Sequence, residues 1–338
     1  MPGSGSTSNS ESKKFAIKIF LARIGGILAP LAFLLTLCLV LSLSTNNFAT
    51  RENIKQIAVQ AAVVAILACG QTAVILCGNI DLSVGSIMAF SGVAAAISMD
   101  TGHQGIWVAV LIALSTGLIC GLVNGMVTAF GKIPSFIVTL GSMGIWMGFA
   151  GIACHSRNVS NQAEGFDIFG FGEFLGTKTS DGLPYAVLIM FSAAIVVHML
   201  LSKTKWGRAI YAIGGNKEAA RLSGIKINKQ LITVFALSGL LAGIAAVVNI
   251  SRASVATKEA GVGLELDAVA ATVVGGTSLF GGQGGIPGTI VGAFLIYTIR
   301  NGLALKGYGA DEQRVIIGTV VILAVLWDRF GPGKKRTA

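Results

Sequence analysis

About ten apolar runs, separated by short polar or glycine-rich connections, fill most of this chain and constrain its fold more than any other feature. They cover roughly 24–43, 54–77, 82–99, 106–130, 135–154, 184–201, 231–250, 266–280, 286–303 and 313–327. A helix that crosses a bilayer needs about 20 mostly apolar residues. In lipid, each such segment must satisfy its own backbone hydrogen bonds, which a helix does. The composition agrees: 53% of residues are hydrophobic and 12% charged, about half the charged share of a soluble domain. The expectation is an all-α integral membrane protein of about ten transmembrane helices, with residues 24–330 forming the membrane domain. The run 24–43 is too long for a signal-peptide core of about 7–15 residues. It therefore reads as a true span, preceded by a disordered Ser/Gly-rich tail, 1–23. The eighth run meets Gly275, Gly276, Gly281, Gly282, Gly284 and Gly285 and reads either as a short span or as a re-entrant segment.

Lys and Arg accumulate on the cytoplasmic side of membrane proteins. With ten spans and the N-terminus inside, 16 of 25 basic residues fall on inner segments, seven of them between 203 and 229. Of the 15 acidic residues, 11 fall on outer segments. Both termini, including the tail 331–338, are then cytoplasmic; 202–230 is the main inner loop and 155–183 an acidic, solvated outer one. The net charge of +10 is distributed between apolar runs rather than along one stripe, which excludes a nucleic-acid-binding chain. Cys38, Cys69, Cys77, Cys120 and Cys154 lack metal-ligand spacing and read as small apolar fillers. His103, His155 and His198 are too scattered for a metal site or proton relay.

An internal repeat is legible. Asn124-Gly125 precedes Gly141 by the same sixteen residues that separate Asn301-Gly302 from Gly318. Asp81, before the third run, has a counterpart in Asp267, before the eighth. The first Asn-Gly pair falls at an inner helix end and the second at an outer one. Two halves of five helices with inverted topology produce that pattern.

Polar groups within apolar runs are functional candidates. Asn79, Asp81 and Ser83 interrupt the stretch 54–99. They read as hydrogen-bonding groups along a solute path, as a tight turn with Asp81 capping the next helix, or as both. Asn124, Thr277 and Ser278 are further path candidates. In the inner loop, Asn216 is a good helix cap, Glu218 to Arg221 has helix-forming composition, and Gly224 is placed to end the helix. The apolar Ala219, Ala220 and Leu222 have no obvious core beneath them. Either a docking surface or a plain basic connector fits. The phosphate-loop pattern Gly-x4-Gly-Lys-Ser/Thr is absent, and no nucleophile, base and orienter converge in the sequence. No enzyme activity of its own is expected.

Four segments together resemble a known family. They are GNIDLSVGS (Gly78 to Ser86), Asn124-Gly125 with IPSFIVTLG (Ile133 to Gly141), GRAIYAIGGNKEAARLSGI (Gly207 to Ile225) and ELDAVAATVVGGTSLFGGQGGIPGTIVG (Glu265 to Gly292). In this order they are similar to the ribose/xylose/galactose-type permeases of bacterial ABC importers, within the branched-chain permease superfamily. Asn79 stands where that family more usually has glycine, and Ser135 where it has a second proline. The resemblance implies a multi-pass permease subunit of the bacterial inner membrane that works as a homodimer or heterodimer. It further implies a cytoplasmic ATPase subunit that uses ATP and Mg, a periplasmic binding protein that delivers a monosaccharide or related polyol, and no cofactor on this chain. Asn216, Glu218, Ala219, Ala220, Arg221 and Gly224 then form the coupling helix that docks into the ATPase. A branched-chain amino acid or a signalling furanose is an alternative solute, and an ion-coupled secondary transporter an alternative mechanism.

Overall fold

A computed structural model describes residues 27–160, 163–175 and 182–330. The tails 1–23 and 331–338 assigned from sequence lie outside these residues. The helices are α1 (Ile27–Ser44), α2 (Arg51–Leu76), α3 (Val84–Asp100), α4 (Ile106–Gly131), α5 (Ser135–Ala153), α6 (Ile168–Phe171), α7 (Tyr185–Lys203), α8 (Lys205–Gly215), α9 (Lys217–Leu222), α10 (Ile227–Ala253), α11 (Leu264–Val274), α12 (Ile286–Leu305) and α13 (Ala310–Phe330). Among the described residues, seven helices are long and apolar enough to cross a membrane, and α3 is a shorter apolar helix.

The eighth expected span resolves into a half-length element. At 11 residues, α11 rises only about 16 Å against a hydrocarbon core of about 30 Å. The glycines from Gly275 onward end it: Gly276, Gly281, Gly282 and Gly284 all take positive φ, a backbone that glycine adopts without penalty. The outer loop also departs from a solvated cap. Phe166 is fully buried; the Ser251 hydroxyl donates to the Phe166 carbonyl at 2.7 Å and its oxygen accepts from Gly170 N–H at 2.7 Å. A two-residue antiparallel hairpin, β1 (Glu173–Phe174) with β2 (Leu183–Pro184), closes the loop.

Helices α2 and α10 form the centre, with most of their lengths buried within the protein. Outer helices instead expose large apolar groups such as Trp107, Phe130, Phe136, Ile152 and Ile195, as a lipid-facing surface requires. Contact between α4 and α10 is backbone to backbone. A methyl group on Gly117 would collide with the Gly239 carbonyl, and one on Gly239 with the Gly117 carbonyl. Without a hydrophobic drive between helices in lipid, such small-residue contacts provide the close packing that holds them together.

The packing has an exchange symmetry. Helix α10 packs on α3 and α4 as α2 packs on α11 and α12; α3 packs on α4 and α5 as α11 packs on α12 and α13. Exchanging α2 with α10, α3 with α11, α4 with α12 and α5 with α13 preserves these contacts, so four helices of one half correspond to four of the other.

Candidate functional site

The chain between α2 and α3 is a short non-helical segment held among four helices, with Cys77, Asp81 and Ser83 buried, and its polar groups are satisfied one by one. With its amide oriented so that donor meets acceptor, Gln71 on α2 binds both backbone groups of Asp81, at 3.1 and 3.2 Å. Ser135 and Thr139 on α5 accept from the N–H groups of Ile80 (3.2 Å) and Leu82 (3.0 Å). The Asp81 side chain is fully buried. One oxygen accepts from Ser83 N–H at 3.0 Å and the Ser83 hydroxyl at 2.6 Å, and the other from the Ser238 hydroxyl of α10 at 3.0 Å. Asn124 on α4 donates to the Ser83 hydroxyl at 2.7 Å. Leaving such groups unpaired costs about 1–3 kcal/mol each, so the network fixes the segment's position.

Asp81, Ser83 and Asn124 are thus brought together, with Asn79 half-buried beside them and bonded to the Cys77 carbonyl at 3.0 Å. Asp81 is not the cap of α3, because Ser83 occupies that position and makes no side-chain cap bond. Asp81 instead closes a turn two residues ahead, the local alternative open to Asp side chains. Thr277 and Ser278 lie apart, in the loop after α11. Ser278 N–H donates to the Gln283 carbonyl at 3.0 Å, while the buried Thr277 hydroxyl has no hydrogen-bond partner. Behind them, Thr72, Thr272 and Thr289 meet where α2, α11 and α12 converge; the Thr72 and Thr289 hydroxyls are 2.7 Å apart.

Gln71, Thr139, Ser238 and the three threonines are not singled out by the sequence, and Ser135 stands out there only as a departure from the family's usual proline. Gln71 had a usable signal, an amide within the apolar run 54–77. Hydroxyls have less, since they also bond their own helix carbonyls, as Thr72 does to Ala68 at 2.7 Å.

The loop 202–230 folds into two helices. Helix α8 is not expected within the loop 202–230, although Trp206, Ala209, Ile210 and Ile213 carry the spacing of a helix face. Its Ala209, Ile210 and Ile213 are buried. Helix α9 has the ends expected from sequence. The Asn216 side chain accepts from Ala219 N–H at 2.9 Å. At the other end, Ile225 N–H donates to the Ala220 carbonyl and Gly224 N–H to the Arg221 carbonyl, with Gly224 at φ +83°, the Schellman arrangement. One expectation is corrected: Ala220 is buried in the main core, so α9 does have a core beneath it. Ala219, Leu222, Glu218 and Arg221 face outward, the last two paired at 2.9 Å.

In the other half, Arg300 on α12 makes two hydrogen bonds from Nη2 to Asp267 on α11, at 2.6 and 2.8 Å. Beside it, Asn301 and Asn53 exchange amide hydrogen bonds at 2.6 and 3.0 Å. Among the described residues, no group of three or more His, Cys, Asp or Glu could hold a metal ion.

Residues 53–326 match the family described as branched-chain amino acid transport system / permease component. The chain belongs to this family. The ribose import permease protein of Escherichia coli K12 is 41% identical over 87% of this chain and 91% of its own length. That of Bacillus subtilis 168 is 38% identical over 89% and 92%. The D-allose transport system permease protein of Escherichia coli K12 is 35% identical over 95% and 96%. As a permease of this family, the chain is a multi-pass membrane transport component rather than an enzyme, and the apolar helices and their exchange symmetry are the frame of that component.

Proposed function

We propose that this chain is the membrane-spanning subunit of a bacterial ABC importer in the inner membrane, and that its solute is a monosaccharide. A periplasmic binding protein delivers the sugar, and ATP hydrolysis in a cytoplasmic partner drives it across. The observation that carries this reading is the similarity, along nearly the whole chain, to permeases named for ribose and allose. The exposed face of α9 supports the ATPase partner: Glu218, Ala219, Arg221 and Leu222 point outward from a helix whose Ala220 is anchored in the core. A second copy of the permease fits the face of α5 formed by Gly141, Gly144 and Gly148. A side chain added at any of these three would meet nothing within 4 Å, and glycine faces suit close helix approach in lipid. Asn79, Asp81, Ser83, Asn124, Thr277 and Ser278 then belong to segments that shift as the path opens. The cofactor reading is unchanged: ATP and Mg act on the partner subunit.

The test is a mild-detergent pull-down of the chain from its native membrane, with mass spectrometry of what copurifies. Recovery of a phosphate-loop ATPase in about equal copies is the expected result; recovery of the chain alone, repeated after crosslinking, overturns the reading and favours a secondary transporter. The family description favours a second solute, a branched-chain amino acid. Screening the copurified binding protein against sugars and against leucine, isoleucine and valine decides between them.

A further inference from the structure

Three backbone segments that are distant in sequence meet at glycines on one side of the molecule. The first is the end of α2, where Leu76 runs into the broken segment at Gly78. The second is the last turn of α8, Gly214-Gly215. The third is the loop between α11 and α12, Gly281-Gly282. Gly282 N–H donates to the Leu76 carbonyl at 3.0 Å. A methyl group on Gly214 would collide with that same carbonyl. One on Gly281 would lie 3.0 Å from Gly214 Cα and 3.2 Å from Gly78 Cα. The Tyr211 hydroxyl, one turn back on α8, donates to the Gly284 carbonyl at 2.9 Å.

The last turn of α8 is also joined stiffly to α9. Asn216 N–H donates to the Ala212 carbonyl, the Asn216 carbonyl accepts from Ala220 N–H, both at 3.0 Å, and the Asn216 side chain caps α9. The link from α9 to the meeting point is therefore hydrogen-bonded backbone without a flexible spacer. At the meeting point, backbones touch directly, and no side chain is present to absorb a displacement. The two segments it touches are the break before α3 in the first half and the glycine loop before α12 in the second.

We propose that the Gly214 junction hands movement of α9 to both halves of the permease at once, with Gly214 and Tyr211 as positioning residues for transport. This rests on the reading of α9 as the ATPase docking helix. Coupling between distant sites requires a continuous chain of packed contacts or a shared two-state element; the junction supplies the contact chain, and the two glycine-bearing breaks are the elements it reaches.

The experiment reconstitutes the full permease with its copurified ATPase and binding protein in proteoliposomes and measures sugar taken up per ATP hydrolysed. Gly214→Ala is expected to retain the ATPase in pull-down and to lower uptake per ATP by about tenfold, the scale of an overpacked contact. Gly215→Ala, where an added methyl meets nothing within 4 Å, is expected to behave as wild type. Tyr211→Phe removes one oxygen atom and is expected to lower uptake per ATP by about threefold, as loss of one net hydrogen bond does. Should Gly214→Ala fail to reach the membrane, Tyr211→Phe decides. Wild-type stoichiometry in every variant that assembles overturns the junction and leaves the functional reading standing. Failure of the wild-type chain to capture any ATPase overturns the functional reading itself.

Discussion

The two halves place an aspartate and an Asn-Gly pair at matching positions, yet anchor them by different chemistry. In the first half, Asp81 is held by neutral donors, two hydroxyls and an N–H, and Asn124 joins the same network through Ser83. In the second, Asp267 is held by the Arg300 guanidinium, while Asn301 turns away to pair with Asn53. A repeat thus preserves where a polar group sits in the packing without preserving what neutralises it. The hydroxyl network joins α3, α4, α5 and α10 around a segment that is not helical. The ion pair joins α11 to α12 over a segment that is. Hydroxyl donors reorient at small cost, whereas a buried charge deprived of its partner does not.

That difference gives graded predictions, each read as the thermal unfolding midpoint of the detergent-solubilised protein. Asp267→Asn leaves the Arg300 charge uncompensated and is expected to cost about 3 kcal/mol. Replacing both partners, as Asp267→Leu with Arg300→Leu, is expected to recover most of the loss, since an apolar replacement of both partners is often neutral; a double variant as unstable as Asp267→Asn would contradict the ion-pair account. Asn124→Ala removes a donor from the buried Ser83 hydroxyl and is expected to cost about 2 kcal/mol. Asp81→Asn keeps the shape, and the Ser238 hydroxyl turns from donor to acceptor, so about 1 kcal/mol is expected. Equal losses for Asp81→Asn and Asp267→Asn would erase the distinction between the halves.

Much of this was legible in the sequence, for identifiable reasons. Helix positions followed from apolar runs, and Ile106–Gly131, Ser135–Ala153 and Tyr185–Lys203 lie close to the runs read at 106–130, 135–154 and 184–201. The ends of α9 were legible because capping chemistry is local: Asn216 and Gly224 act within a few residues of themselves. The partners of Asp81 were not. Ser238 is 157 residues away, and no periodicity encodes which hydroxyl of one helix meets which carboxylate of another. The shortness of α11 was half visible in its glycines, but where its helix stops depends on the loop packing against Leu76. The burial of the loop 155–183 is hidden in the sequence because it comes from a few residues, Val159 and Phe166 among them, that composition averages away.

The central claim is that this permease moves a sugar driven by ATP hydrolysis in a partner subunit, with the movement transmitted through α9. The most direct measurement is uptake of labelled ribose into proteoliposomes holding the permease, its ATPase and its binding protein, with ATP on the ATPase side and the proton and sodium gradients collapsed by ionophores. The account predicts uptake that persists without the gradients, stops without ATP, and is lost in Glu218→Arg although that variant remains in the membrane. Uptake that needs a gradient and ignores ATP, or that survives Glu218→Arg unchanged, would contradict it.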